Sequence, residues 1–276
     1  MIEYAISTSV TMGDVERLPH LTRHRLDHVE IGFWRLDLLP QVIEFVRSNF
    51  VTVGFHDPLP GHDNWRWPSL NHQLPEERHR TLKSIKQTLA FADKHNPAYV
   101  LCHFPAVHFE EVPNWTTEDS IEAAMASCAI LNEWSDEHGR SIILEHVSPH
   151  PYFTVPAFGQ VFEAFPNLKF ALDIGHYHLV ARDGRINGTD FLDTIAPYLC
   201  IIHMYNATPA SYKQYHHMPV HPSQNPSDGW ADVPAILERV LPIAKDVRIV
   251  FEHTPQYPAE LEFIQAGIDW IITLTS

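Results

Sequence analysis

Ile142-Ile-Leu-Glu145 is three apolar residues closing on a carboxylate, and five other segments are built the same way. They are Val53-Gly-Phe-His56, Val100-Leu-Cys-His103, Phe170-Ala-Leu-Asp173, Cys200-Ile-Ile-His203 and Ile249-Val-Phe-Glu252. Short β-branched and aromatic runs bounded by polar loops read as buried strands. Working outward gives Ile2–Ser7, His28–Phe33, Val51–His56, Tyr99–His103, Ile142–Glu145, Lys169–Asp173, Cys200–His203 and Arg248–Glu252, eight strands spread over the whole chain.

Between them, Leu38/Val42/Phe45/Val46, Leu82/Ile85/Leu89, Ile121/Met125/Cys128, Val233/Ile236/Val240 and Leu261/Ile264/Ile268/Ile271 each trace one face of an amphipathic helix. Pro75 suits a first helical position, Thr116-x-x-Asp119 a capping box, and Gly139 a helix stop. Continuous apolar strands alternating with helices indicate a parallel sheet covered by helices. Eight such units predict the α/β class, a single (β/α)8 TIM barrel forming one domain over 1–276. An open doubly wound sheet fits less well, because no Gly-x-Gly-x-x-Gly turn follows the first strand.

A barrel brings its strand ends to one funnel, so His56, His103, Glu145, Asp173, His203 and Glu252 are expected to meet there. A carboxylate behind three apolar residues is costly to bury without a cation, and a divalent metal accounts for all six residues together. Alternation along a strand turns His146 and His253 toward the helices, and places Cys200 on the opposite face from His203. His176 follows its strand closely, and Gly175 is expected to let the backbone turn and bring the imidazole over the site. His20, His24, His72, His95 and His138 read as surface residues.

Two connections are too long for plain turns. Asp57–Leu74 carries Trp65 and Trp67; Met204–Trp230 carries Tyr205, Tyr212, Lys213, Tyr215, His216 and His217. Long loops at the mouth of a barrel are candidate lids, so Trp65, Trp67, Tyr205 and Lys213 are candidate substrate contacts.

The 276 residues carry a formal charge of −15, which argues against nucleic acid and acidic membranes as partners and favours a small-molecule substrate. There is no apolar run of membrane-spanning length, and Met1-Ile2-Glu3-Tyr4 enters a strand without an export signal, so the cytoplasm is the expected location. Three widely spaced cysteines suit a reducing compartment, whereas 20 histidines point to metal or proton chemistry. A homo-oligomer is compatible with the sequence.

The chain resembles the xylose isomerase-like barrel superfamily, which holds sugar isomerases, epimerases and the endonuclease IV group. The resemblance rests on His28-Val-Glu30-Ile-Gly-Phe, Leu144-Glu145, Leu172-Asp173-Ile-Gly-His176, His203-Met-Tyr-Asn206, His217-Met-Pro and Asp228-Gly-Trp-Ala-Asp-Val. It implies that Glu145, Asp173, His203 and Glu252 hold a divalent ion, that Glu145 and Glu252 move protons beside a carbonyl, and that His176 touches substrate. His56 and His103 resemble the further ligands of the endonuclease branch, where the residue matching Glu145 bridges two metals.

His176 is also a candidate ligand of a second metal, and a third ion in that branch would draw on His217, but Tyr215 stands where its aspartate is expected, unless His216 substitutes. The resemblance therefore implies one to three ions, zinc or manganese, and a carbohydrate substrate. The expected activity is a metal-dependent sugar or sugar phosphate isomerase or epimerase. A multinuclear phosphoester hydrolase is the rival, and a binding scaffold without catalysis the third choice.

Overall fold

The computed structural model describes residues 1–61, 66–106, 114–148, 150 and 153–276. Eight strands run in order around one closed parallel barrel: β1 (Ile2–Ser7), β2 (His28–Ile31), β3 (Thr52–His56), β4 (Tyr99–His103), β5 (Ser141–His146), β6 (Leu168–Asp173), β7 (Leu199–Met204) and β8 (Val247–Phe251). The last pairs with the first through Ile2↔Val247 to Ile6↔Phe251, so no strand edge is left open. The protein is a (β/α)8 TIM barrel.

Nine α-helices lie among the described residues: α1 (Leu39–Asn49), α2 (Pro75–His95), α3 (Thr117–Glu137), α4 (Val155–Ala164), α5 (Ile174–Arg182), α6 (Gly188–Ile195), α7 (Pro209–Tyr215), α8 (Val233–Val240) and α9 (Leu261–Thr275). The boundary chemistry holds: Pro75 opens α2, Thr116 and Asp119 close a capping box on α3, and Gly139 sits at φ +59° behind it. None of these helices is long and apolar enough to cross a membrane. The expected helix after the first strand is replaced by 3₁₀ turns at Thr8–Thr11 and Val15–Thr22, with left-handed Met12 and Gly13 between them and Pro19 inside the second.

Two shells of apolar residues follow from strand alternation. Ala5, Tyr99, Leu101, Ile143, Ala171, Ile201 and Val250 fill the barrel interior. Ile142, Leu144, Phe170, Leu172, Ile202, Ile249 and Phe251 face outward into the helix layer. Gly54 makes room for the largest interior ring, because a Cβ there would lie 2.1 Å from Tyr99 Cζ.

The alternation breaks once. Phe170 pairs with Leu199 but Ala171 pairs with Ile201, so β7 carries an extra residue at Cys200. From outward-facing Leu199, strict alternation would turn His203 outward; the extra residue restores it to the interior, opposite Asp173. Cys200 itself packs against the interior cluster, with its thiol 3.7 Å from the Phe170 carbonyl, so the simple parity that set it opposite His203 does not apply.

Candidate metal centre

Interior-facing strand ends bring Glu145, Asp173, His203 and Glu252 together from β5, β6, β7 and the residue after β8. One donor atom from each lies within 4.8 Å of all the others. His203 Nδ1 is 2.5 Å from Glu145 Oε1 and 3.3 Å from Glu252 Oε2. All four side chains are buried.

Burial alone would push His203 toward neutrality, but Glu252, Glu145 and Glu30 outweigh it and hold the imidazolium well above the usual range. Burial raises Glu145 and Glu252, and the opposing charge of His203 prevails, leaving Glu145 well below the usual carboxylate range and Glu252 at about 2. Asp173 goes the other way: burial, then the charges of Glu145 and Glu252, push it well above that range.

A second set shares Glu145. His56 Nε2 and His103 Nε2 are 3.2 Å apart, and they lie 3.5 and 3.2 Å from Glu145 Oε2. Nitrogen and oxygen ligands held about 2.1 Å from a tetrahedral zinc are about 3.4 Å from each other, so these three separations match such a centre. Burial, with His103 close by, lowers the His56 pKa and favours the neutral imidazole that binds metal. Glu145 Oε2 and Asp173 Oδ2 are buried without a hydrogen-bond partner, and such orphaned acceptors, together with the donor types, fit a divalent cation in each set.

Glu30, quoted above only as part of a motif, belongs to the same cluster and makes a third donor group with His56 and Glu252, each offering an atom within 4.8 Å of the others. It is 0% exposed, accepts a hydrogen bond from Tyr99 Oη at 2.8 Å, and lies 3.3 Å from His203 Nε2 through Oε2. The signal that singled out Glu145, a carboxylate amid apolar strand residues, was present in His28-Val-Glu30-Ile31 as well.

His176 and His217 form a layer beside the four-donor set. Among the described residues neither joins a third His, Cys, Asp or Glu within ligand reach, so the structure does not assemble a third metal group there. His217 stacks on Tyr205 at 3.7 Å between ring centroids, and its Nδ1 meets the Glu252 carbonyl at 3.0 Å. His176 is half-buried, and the desolvation of its ring lowers its pKa to about 3; the ring lies 5.7 Å from that of His217.

The turn expected at Gly175 is absent: α5 starts immediately, and Asp173 caps it by accepting from the His176 N–H at 2.7 Å. Gly175 serves packing instead, since a Cβ would come within 2.1 Å of the Tyr205 ring. Tyr205 is correspondingly 0% exposed and does not cover the mouth as expected of a lid residue. Its place beneath Gly175 and His217 explains why.

Trp67 does reach the site, with its ring 5.8 Å from that of His103. Trp65 lies outside the described residues. Lys213 and His216 are exposed on and after α7, and Tyr212 lies 5.5 Å from His176. His146 points outward as expected, edge-on to Phe158, but His24 is buried against Gln265 and is not a surface residue. A cleft of about 520 Å³, lined by Thr8, Phe33, Trp34, His56 and Glu252, gives access from the β1–β2 side.

Comparison with known proteins agrees with this architecture. No curated protein matches the chain. Among solved structures, the apo form of the 3-keto-D-glucoside 4-epimerase YcjR from E. coli superposes with a TM-score of 0.69 at 13% identity, covering 99% of this chain and 100% of its own. A D-tagatose 3-epimerase-like protein gives 0.71 at 14%, covering 99% and 100%. The IolI protein with a bound zinc atom gives 0.70 at 16%, covering 99% and 98%. At such identities the likeness is one of fold. The sequence profile of the xylose isomerase-like TIM barrel family matches residues 26–274, and the chain belongs to that family.

Proposed function

We propose that the protein is a divalent-metal-dependent isomerase or epimerase of a sugar or sugar phosphate. The observation that carries this reading is the buried set of Glu145, Asp173, His203 and Glu252, whose donor atoms converge within 4.8 Å beside an open cleft. A zinc or manganese ion held there would supply Lewis-acid polarisation of a substrate carbonyl and its neighbouring hydroxyl.

The two glutamates are not equivalent. Glu145 is engaged by His203 through one oxygen and by His56 and His103 through the other, whereas Glu252 lines the cleft. Glu252 is therefore the residue placed to remove the proton next to the carbonyl. Trp67 and Phe33 cover the bound sugar. The epimerases among the structural neighbours support carbohydrate as the substrate class.

Solvent-proton exchange into a panel of ketoses and keto-glycosides in deuterated water tests the reading. Exchange at one carbon that is lost in Glu252→Gln, with metal content retained, is the expected result. No exchange with any member of the panel would overturn it.

One observation favours a second reading, a multinuclear phosphoester hydrolase. His56, His103 and Glu145 make a separate three-donor set that shares its carboxylate with the first. Two ions that close activate water and neutralise a leaving oxygen. Hydrolysis of a simple phosphodiester, abolished by His56→Ala, would favour this reading over the first.

A further inference from the structure

Glu145 faces the metal-binding nitrogens of both donor sets, and Glu30 faces the opposite side of the same two imidazoles. His203 presents Nδ1 to Glu145 and Glu252, and its Nε2 straddles the Glu30 carboxylate at 3.1 Å from Oε1 and 3.3 Å from Oε2. His56 presents Nε2 to Glu145, and its Nδ1 lies 3.9 Å from Glu30 Oε1. Tyr99 Oη fixes the second Glu30 oxygen from below.

That arrangement is built with some care. A fully buried carboxylate is costly unless its oxygens find donors, and Glu30 Oε1 still has no hydrogen bond of its own. The Tyr99 ring reaches Glu30 only because residue 54 is glycine, as a Cβ there would overlap the ring. A carboxylate behind a metal-binding histidine fixes its tautomer and raises its basicity.

We propose that Glu30, anchored by Tyr99, is the positioning residue shared by His203 and His56, holding Nδ1 of the first and Nε2 of the second free to bind metal. This inference rests on the metal reading of those histidines given above. Glu30 accepts the Nε2–H of His203, so the proton that a metal would displace is the one on Nδ1, where Glu145, Asp173 and Glu252 converge. It stands ready to do the same for His56 Nδ1–H after an approach of about 1 Å, the gap between 3.9 Å and an ordinary hydrogen bond. The pairing explains why β2, a four-residue strand that ends on Ile31, carries a buried acid.

Zinc affinity of the metal-free protein, measured by competition with a chromophoric chelator, tests the role without reference to turnover. Glu30→Leu, which keeps bulk but loses the acceptor, is expected to weaken zinc binding roughly 10- to 100-fold. Glu30→Gln, which can still accept from one imidazole, is expected to recover part of that loss, and Tyr99→Phe to lose several-fold. Wild-type affinity in a folded Glu30→Leu would overturn the proposal, as would unchanged affinity in both Glu30→Gln and Tyr99→Phe if the leucine variant does not fold. Nitrogen NMR of the metal-free protein gives an independent reading: a slowly exchanging His203 Nε2–H is expected in wild type and lost without Glu30. Its absence in wild type refutes the contact. If wild type takes up no zinc, the proposed activity falls, while the NMR signal still decides for or against Glu30.

Discussion

His103 and Glu145 are register partners on adjacent strands, and their side chains meet with Nε2 3.2 Å from Oε2. Because the other Glu145 oxygen meets His203, one carboxylate spans both donor sets. Glu145→Ala is therefore expected to empty both, and His56→Ala only one. Elemental analysis after dialysis against trace zinc checks this; one ion per chain in wild type, unaffected by His56→Ala, would remove the second set.

Trp67 lies against His103 but contributes no donor atom. Trp67→Ala should leave metal content unchanged while raising KM several-fold, the signature of lost substrate contact. Steady-state kinetics beside metal analysis separates the two; a loss of metal would place Trp67 among the groups that shape the centre itself.

His146 is buried between Phe158 and Phe191, and burial lowers its pKa from 6.5 to about 4. The folded form resists the proton that the unfolded chain accepts, so stability attributable to this residue is present above about pH 6.5 and lost as the pH falls toward 4. The loss is on the order of 3 kcal/mol when complete. His146→Phe should flatten the decline, as denaturant unfolding at pH 7 and pH 4.5 would record; equal slopes in the two proteins would refute the assignment.

Gly175→Ala places a Cβ into the Tyr205 ring, with 2.1 Å between the atoms. Overpacking of this kind costs about 1–3 kcal/mol. Since Tyr205 stacks on His217, which lies beside Glu252, the variant should melt several degrees lower and also bind zinc more weakly. A lower melting temperature with unaltered zinc binding would separate the packing from the centre.

The barrel and its main donors were legible because both depend on strand periodicity. Three apolar residues before a His, Asp or Glu give a buried strand and an interior polar end at once, and Glu145 and Asp173 sit where that pattern puts them, whereas His203 reaches the interior through the extra residue in β7. What escaped depends on geometry that periodicity does not encode. The extra residue at Cys200 changes the parity of β7 without altering its composition. Glu30 is the next-to-last residue of β2, as Glu145 and His203 are of β5 and β7, but His28 and Val29 precede it rather than three apolar residues, so the same chemical signal was read only as a motif. Tyr205 looked like a loop aromatic, and only the proximity of Gly175 shows that it is core. Helices α4 and α6 bury Ala157, Phe158, Val161 and Phe162, and Phe191, Leu192 and Ile195, at helical spacing and were not singled out, whereas α5 starts directly at the end of β6 and was read as a turn.

The four donors of the principal set come from three successive strands and the residue that follows the fourth, from Glu145 to Glu252, so the unfolded chain has no preformed pocket for an ion. Occupancy and foldedness are then linked by mass action: a metal present at 100 times its dissociation constant adds about 2.7 kcal/mol to the stability of the native state. The ion would act as a clasp joining the second half of the barrel, and chelation alone would lower the melting temperature of a protein whose covalent structure is untouched.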